Sequence, residues 1–95
     1  MTKAWVNFDG TDASPITKKA GYNIDGTITK NSAGNYTVTW DTDFSGAFYC
    51  CVANSTARET QVESQAAGSC VILTSDSAGT PTDFANVSVL AVGVQ

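Results

Sequence analysis

Histidine is absent from this 95-residue sequence, and Arg58 is its one arginine. Histidine has the side-chain pKa nearest neutral pH, so much acid–base and nucleophilic catalysis depends on it. Lysine and arginine together number 5 and are scattered along the chain, whereas 9 acidic residues bring the formal charge to −4. Because binding to a phosphate backbone requires clustered positive charge, the composition weighs against an enzyme. It also weighs against nucleic acid or an anionic membrane as a partner.

Long hydrophobic runs are missing as well. The apolar run Val89–Val94 is far shorter than the roughly 18 residues that a membrane-spanning helix needs, so we expect no membrane insertion. The first residues do not form a charged, apolar and small-residue secretion leader, because Met1-Thr2-Lys3 runs directly into Ala4-Trp5-Val6-Asn7-Phe8. We therefore expect synthesis and folding in the cytoplasm.

Good helix formers are scarce. Leucine and glutamate occur twice each, whereas serine and threonine together number 22 and glycine 8. This balance favours strands and turns over helices and predicts an all-β fold. The length suits one domain over residues 1–95, since domains most often contain roughly 100 to 150 residues. So small a core often needs further stabilisation, and we expect it from oligomerisation.

Alternation of apolar and polar residues predicts seven or eight short strands about ten residues apart. This is the pattern of a single antiparallel β-sandwich, either jelly-roll-like or closed into a small barrel. The clearest unit is a β-hairpin, with strands at Ile28–Asn31 and Tyr36–Trp40 joined by a turn over 32–35. The remaining predicted strands lie at 3–9, 22–24, 47–53, 60–64, 69–74 and 86–94.

Two of these strands have apolar residues on both faces. The segment 47–53 is therefore predicted to be a central strand, and 86–94 to be buried on both sides or to form a subunit interface. The segment 11–20 shows no apolar periodicity and is predicted to be a surface loop or an irregular edge.

Three cysteines are an odd number, and Cys50 and Cys51 are neighbours on a predicted strand, so they point to opposite faces. At most one of the two is able to pair with Cys70. Free, buried thiols are the expected state in a cytoplasmic chain, and an intramolecular disulfide is the alternative. A zinc site is not expected, because the sequence has neither CxxC spacing nor histidine.

Two pairs of aspartates flank turn residues, Asp41 with Asp43 and Asp9 with Asp12. Neither pair has the further oxygen ligands at fixed offsets that a calcium loop requires. Two carboxylates are also the catalytic groups of glycosidases. We expect these aspartates instead to accept hydrogen bonds from turn amides, and we predict no metal, no cofactor and no catalytic residue.

Aromatic residues on a β-surface contact sugars or protein partners because they are large and amphipathic. Most of the nine aromatics are expected in the core or in a subunit interface. Trp5 and Tyr49 are candidate ligand or partner contacts, because each is predicted on the strand face opposite the better core set.

Several segments together resemble a small β-domain of bacteriophage tail-fibre and related virion proteins. The most specific is the opening Lys3–Thr11, KAWVNFDGT. The resemblance continues at Tyr22-Asn23-Ile24, at 28–31 with 34–38, and at 84–89, whereas 54–68 does not match strongly. These residues determine a fold, so they identify a scaffold and no catalytic or receptor-contacting position.

The resemblance implies the carboxy-terminal domain of a homotrimeric fibre, displayed on a virion and attached to a host-surface receptor such as a glycan. The alternative is a purely structural trimerisation or capsid-decoration module without a ligand. Recognition is usually carried by loops, so the polar segments 11–19, 54–68 and 75–83 are the expected receptor contacts. Asp76 and Asp83 of the last segment are the candidate residues.

Overall fold

The computed structural model describes residues 2–56 and 59–95. The predicted all-β antiparallel sandwich is confirmed: the described residues form two sheets, one of four strands and one of five, without a helix. The strands are β1 (Thr2–Phe8), β2 (Ile16–Thr17), β3 (Ala20–Tyr22), β4 (Thr27–Ser32), β5 (Asn35–Thr39), β6 (Cys50–Ser55), β7 (Glu59–Ala66), β8 (Ser69–Ser75) and β9 (Val87–Val92).

The four-stranded sheet has the order β3-β1-β9-β6 and the five-stranded sheet the order β2-β4-β5-β8-β7. Every pair of neighbouring strands is antiparallel. Only two connections, β4–β5 and β7–β8, join neighbours in one sheet. Because most connections carry the chain from one sheet to the other, strands distant in sequence become neighbours.

The core lies between the sheets and follows the alternation of each strand. The inward residues of β1 and β9 are buried on one side of the core, and those of β5 and β8 on the other. Phe8 meets Tyr36 edge-on across this interface, with ring centroids 5.2 Å apart, a favourable aromatic geometry. The buried residues of the four strands are Ala4, Val6, Phe8, Val87, Val89, Ala91, Tyr36, Val38, Cys70, Ile72 and Thr74.

The predicted hairpin is confirmed as β4–β5; β4 extends one residue beyond the prediction at each end, and β5 has the predicted length but begins one residue earlier. Gly34 in its turn has a φ of +66°, in the left-handed region that favours glycine. The Gly34 carbonyl accepts a hydrogen bond from the Thr74 amide at 2.8 Å. The turn therefore packs directly against the end of β8.

The structure revises three expectations about strands. The segment 47–53 is not a central strand: β6 begins at Cys50 and lies at an edge, paired only with β9 among the described strands. Of the two alternatives for 86–94, burial on both sides is wrong, because Ser88 and Leu90 of β9 face solvent while their neighbours face the core; the subunit interface stays a prediction. Of the two alternatives for 11–20, the irregular edge is correct: the segment contains the two-residue β2, which is anchored by the buried Ile16 at the edge of the five-stranded sheet and brings the described strands to nine rather than seven or eight.

Candidate binding surfaces

Four large apolar side chains cross the outer face of the four-stranded sheet in one row. Trp5 of β1 is in register with Tyr22 of β3 on one side and with Leu90 of β9 on the other. Leu90 is in turn opposite Val52 of β6. The four residues, Tyr22, Trp5, Leu90 and Val52, are 60%, 40%, 39% and 53% exposed. We call them the apolar row; with strands about 4.8 Å apart, it is roughly 14 Å wide.

A polar row runs beside the apolar row, one step along the same strands. Ser88 of β9 is in register with both Asn7 and Asn54. Asn7 Nδ2 donates to Ser88 Oγ at 2.9 Å and to Asn86 Oδ1 at 2.7 Å. The two rows enclose a groove of about 410 Å³ that Trp5, Val52 and Leu90 line. None of the described residues lining it is charged.

The β6 edge continues this surface to the side of the sheet. Its residues, CCVANS, include neither a charge nor a proline, and β6 pairs with β9 without a shift in register. By contrast, the β7 edge of the other sheet carries Glu59 and Glu63 and a bulge between Val62 and Ser64. Charges and bulges protect edge strands against pairing with another chain. The β6 edge lacks both.

A second surface forms where three connections meet at one end of the sandwich. We call it the loop end: the segment 9–15, the hairpin turn at 33–34 and the segment 76–86. The Gly10 amide donates to the Phe84 carbonyl at 2.9 Å, and the Gly34 amide of the hairpin turn donates to Asp83 Oδ1 at 2.8 Å. These contacts tie the three connections together although they are distant in sequence.

Asp83, one of the candidate contacts, is the hydrogen-bonding centre of the loop end. Its carboxylate accepts from the Gly34 amide at 2.8 Å, from the Tyr36 hydroxyl at 2.9 Å and from Lys30 Nζ at 3.0 Å. Burial alone would raise the pKa of Asp83, but these donors hold it below the usual 3.8. Burial and the bond to Asp83 raise the pKa of Tyr36.

Asp83→Asn is expected to lower the free energy of unfolding at pH 7 by about 1–2 kcal/mol, because the amide cannot hold Lys30 and Tyr36 as a carboxylate does. The pKa is depressed in the folded state, so this stabilisation is present above the unfolded pKa and lost as the pH falls through the folded one. Chemical denaturation at several pH values across this acidic range measures the free energy of unfolding of both proteins. The difference between wild type and variant should disappear on acidification.

Asp76→Asn is the matched control for Asp83→Asn. Asp76 Oδ1 accepts from the amides of Ala78 and Thr80, at 2.9 and 3.0 Å, within its own exposed turn. An asparagine oxygen is able to accept the same hydrogen bonds, so we expect the free energy of unfolding to change by no more than about 0.5 kcal/mol. An equal loss in both variants at every pH would contradict the role of Asp83.

Of the other two candidate contacts, Trp5 is exposed, as predicted, but the orientation predicted for Tyr49 was wrong. Tyr49 precedes β6 rather than lying on it, and it is 8% exposed. Its hydroxyl accepts from Trp40 Nε1 at 3.1 Å and points at the Ala66 and Ser69 carbonyls, each 2.9 Å away. Burial raises its pKa to about 12. Tyr49 therefore belongs to the core.

The four candidate residues occupy three separate places. Trp5 lies in the apolar row, Asp76 and Asp83 lie in the loop end, and Tyr49 stacks on Phe44 inside the sandwich, with ring centroids 4.1 Å apart. Sequence reasoning missed Val52 as part of a surface, and it considered Leu90 only within a segment that was predicted to be buried on both sides or to form a subunit interface. The outward positions of both residues follow from strand alternation, but the signal was hidden because each segment has apolar residues on both faces.

In one of the two aspartate pairs, Asp9 accepts hydrogen bonds within its own turn, as expected. The Asp9 carboxylate accepts from the hydroxyl and the amide of Thr11, at 2.6 and 2.9 Å, and these bonds lower its pKa. Asp41 and Asp43 are exposed and lie outside the groove. Within residues 2–56 and 59–95, no group of three or more histidine, cysteine, aspartate or glutamate side chains is placed to hold a metal ion.

The three cysteines are free thiols, but Cys50 is exposed rather than buried as expected. Cys51 is half-buried and Cys70 is buried. Hydrogen bonding with Cys70 lowers the pKa of the Cys51 thiol, and hydrogen bonding with Cys51 together with burial raises the pKa of the Cys70 thiol. The residue that faces Cys70 is therefore Cys51 and not Cys50.

No family model, curated protein or solved structure matches this chain. The similarity to virion proteins therefore stays a prediction. No helix among the described residues has the length and apolar character needed to cross a membrane.

Proposed function

We propose that this chain is a non-enzymatic attachment module of a bacteriophage virion, similar to a tail-fibre domain, and that it works as a homotrimer. The observation that carries the proposal is the apolar row. Four large apolar side chains in register on one solvent-facing sheet form a continuous patch, and such patches mark interaction sites on small soluble proteins. The proposed trimeric state and the proposed location on a virion rest on the resemblance of segments such as Lys3–Thr11 to virion proteins.

The apolar row is assigned to the contact between copies. Subunit interfaces are richest in aromatic and aliphatic side chains at their centre, and Trp5 and Leu90 occupy the middle of the row. The β6 edge, which carries neither a charge nor a bulge, adjoins the row through Val52, so a neighbouring copy that covers the row also lies beside this edge.

The loop end is assigned to the host receptor. Three connections meet there, and they carry polar groups on a rigid sandwich, which is how many β-domains present recognition residues. The formal charge of −4 favours neutral or cationic receptor groups over phosphate-rich ones. A neutral glycan is the class of receptor that fits both properties.

Leu90→Glu tests the assignment of the apolar row. Light scattering should give wild type a molar mass near three times 9.9 kDa and the Leu90→Glu variant a molar mass near 9.9 kDa. The variant should not assemble, because burying three unpaired carboxylates costs several kcal/mol. Phe48→Glu is the matched control: Phe48 is fully exposed and lies outside the row, so its trimer should persist. A monomeric wild type contradicts the proposal.

A structural trimerisation or capsid-decoration module without a ligand is the second candidate. It is favoured by the loop end, where Asp9 and Asp76 accept hydrogen bonds from their own loops and Asp83 accepts one from the hairpin turn, so that all three carboxylates have fewer sites left for a receptor. Fluorescently labelled trimer is added to a panel of bacterial cells and to immobilised neutral and acidic bacterial polysaccharides. Saturable binding supports attachment, whereas a trimer that binds none of them supports the structural role.

A further inference from the structure

The dipeptide aspartate-glycine occurs twice in the chain, as Asp9-Gly10 and as Asp25-Gly26. In such a pair the amide nitrogen of the glycine is able to attack the carboxyl group of the preceding aspartate, because glycine has no Cβ to obstruct the approach. The reaction depends on how closely the two groups are held, and it requires a backbone that is free to turn. The two pairs have the same local chemistry, so the tertiary structure decides which of them reacts.

Asp25-Gly26 is open to this reaction. Both residues are exposed, in the connection between β3 and β4. The Gly26 amide donates to Asp25 Oδ1 at 2.8 Å, so the carboxyl group already lies beside the nitrogen that would attack it. A Cβ placed on Gly26 would have no neighbour within 4 Å. The site therefore combines proximity of the reacting groups with space around the glycine.

Asp9-Gly10 is held in place on every side. Gly10 is buried, its amide donates to the Phe84 carbonyl at 2.9 Å, and its carbonyl accepts from the Tyr36 hydroxyl at 3.1 Å. The Asp9 carboxylate accepts from the Thr11 amide at 2.9 Å, so it is directed past Gly10. The Gly10 nitrogen is able to turn towards this carboxylate only if these hydrogen bonds break.

We propose that Asp25 is a site of spontaneous aspartate isomerisation in the folded protein and that Asp9 is protected from the same reaction. The Gly26 nitrogen forms a bond to Cγ of the protonated Asp25 carboxyl group, the Cγ–OH bond breaks, and the amide proton leaves with the hydroxyl as water. The product is a five-membered succinimide ring. Water then adds to the former main-chain carbonyl and opens the ring, which leaves Gly26 joined to Cγ as an isoaspartyl linkage.

The isoaspartyl linkage lengthens the backbone by one carbon between two anchored points. The Asp25 amide donates to the Thr39 carbonyl at 2.9 Å, and Ile28 is buried in the core. The linkage also frees the α-carboxylate of residue 25, which is the group that isoaspartyl methyltransferases modify. This connection follows the end of β3 that is remote from the loop end, and its residues do not line the groove. The inference is therefore independent of the proposed function.

The test compares the two sites within one molecule. Folded protein is incubated for several weeks at about 37 °C and mildly acidic pH, where a larger fraction of exposed carboxyl groups is protonated. Cleavage after lysine then places Asp9 in the peptide 4–18 and Asp25 in the peptide 20–30. Isoaspartate is labelled with an isoaspartyl methyltransferase and S-adenosylmethionine and is located by tandem mass spectrometry.

We expect isoaspartate to form at least about ten times faster at Asp25 than at Asp9, because Asp9-Gly10 reacts only after local opening. In guanidinium chloride both pairs lose their tertiary contacts, so the two rates should agree within about threefold. Equal rates in the folded protein overturn the proposal. A tenfold preference for Asp25 that persists in the denaturant also overturns it, because the folded structure would then not be the cause.

Gly26→Ala tests the role of the glycine nitrogen. The added Cβ meets no neighbouring atom within 4 Å, so the fold should be kept. The same Cβ obstructs the approach of the nitrogen to the carboxyl group, and isoaspartate at Asp25 should form at least about ten times more slowly than in wild type. A variant that is folded by circular dichroism and isomerises at the wild-type rate contradicts the proposal.

Discussion

Gly34→Ala is expected to lower the free energy of unfolding by about 3 kcal/mol or more. A left-handed backbone costs an alanine about 1–2 kcal/mol, and Gly34 has a φ of +66°. In addition, a Cβ at this position would collide with the Thr74 carbonyl and lie 2.7 Å from the Thr82 amide. Both neighbours are backbone groups, so the turn or the end of β8 must move. Chemical denaturation at one protein concentration measures the loss.

Gly79→Ala is the matched control for Gly34→Ala. Gly79 also has a left-handed φ, +82°, but a Cβ there would have no neighbour within 4 Å. The only expected penalty is therefore the left-handed backbone of the alanine, which should lower the free energy of unfolding by about 1 kcal/mol. Equal losses in the two variants would mean that the hairpin turn is not held against β8, and the account of the loop end given above would be wrong.

Tyr49→Phe is expected to lower the free energy of unfolding by about 2–3 kcal/mol. The change removes one hydroxyl and leaves the ring, so the stacking on Phe44 is kept. Without the hydroxyl, Trp40 Nε1 loses its acceptor, and the Ala66 and Ser69 carbonyls lose a donor. Buried polar groups left without a partner carry the cost of desolvation. Urea denaturation monitored by tryptophan fluorescence measures the effect, since Trp40 is one of the groups involved.

Tyr22→Phe makes the same chemical change at an exposed site. Both variants are made in the Leu90→Glu background, in which the proposed contact between copies is lost and Tyr22 is 60% exposed as in the single chain. Water then solvates the Tyr22 hydroxyl, and the expected change in the free energy of unfolding is within about 0.5 kcal/mol. Both variants are compared at the same protein concentration, because the stability of an oligomer depends on it. A loss at Tyr49 no larger than that at Tyr22 would show that its hydroxyl is not the link between the β5–β6 and β7–β8 connections.

Local pattern predicted much of the fold. A period of two over Lys3–Asp9 and Tyr36–Trp40 identified β1 and β5, because a strand with one buried face repeats its apolar residues at alternate positions. The pattern misled at 47–53, where apolar residues on both faces suggested a central strand. That run contains the end of a connection, with Tyr49 in the core, followed by an edge strand whose outer face carries Val52.

The candidate surfaces were predictable only in part. Alternation placed Trp5 on the outer face of its strand, and composition identified the loop that contains Asp83. The bonds from Asp83 to Gly34, Tyr36 and Lys30 span about fifty positions of the chain. No local pattern encodes such bonds, since they depend on which connections meet at one end of the sandwich.

Composition and alternation were therefore sufficient for the fold class, for most of the strands and for the direction in which Trp5 points. Both are local properties: a residue's neighbours in sequence decide whether a strand forms and which of its side chains share a face. The order and register of the strands are long-range properties. They decided that Trp5 meets Tyr22 and Leu90, because strands this far apart in sequence become neighbours only when the whole sheet forms. The packing of that sheet on a common core decided that Cys51 faces the interior while Cys50 is exposed.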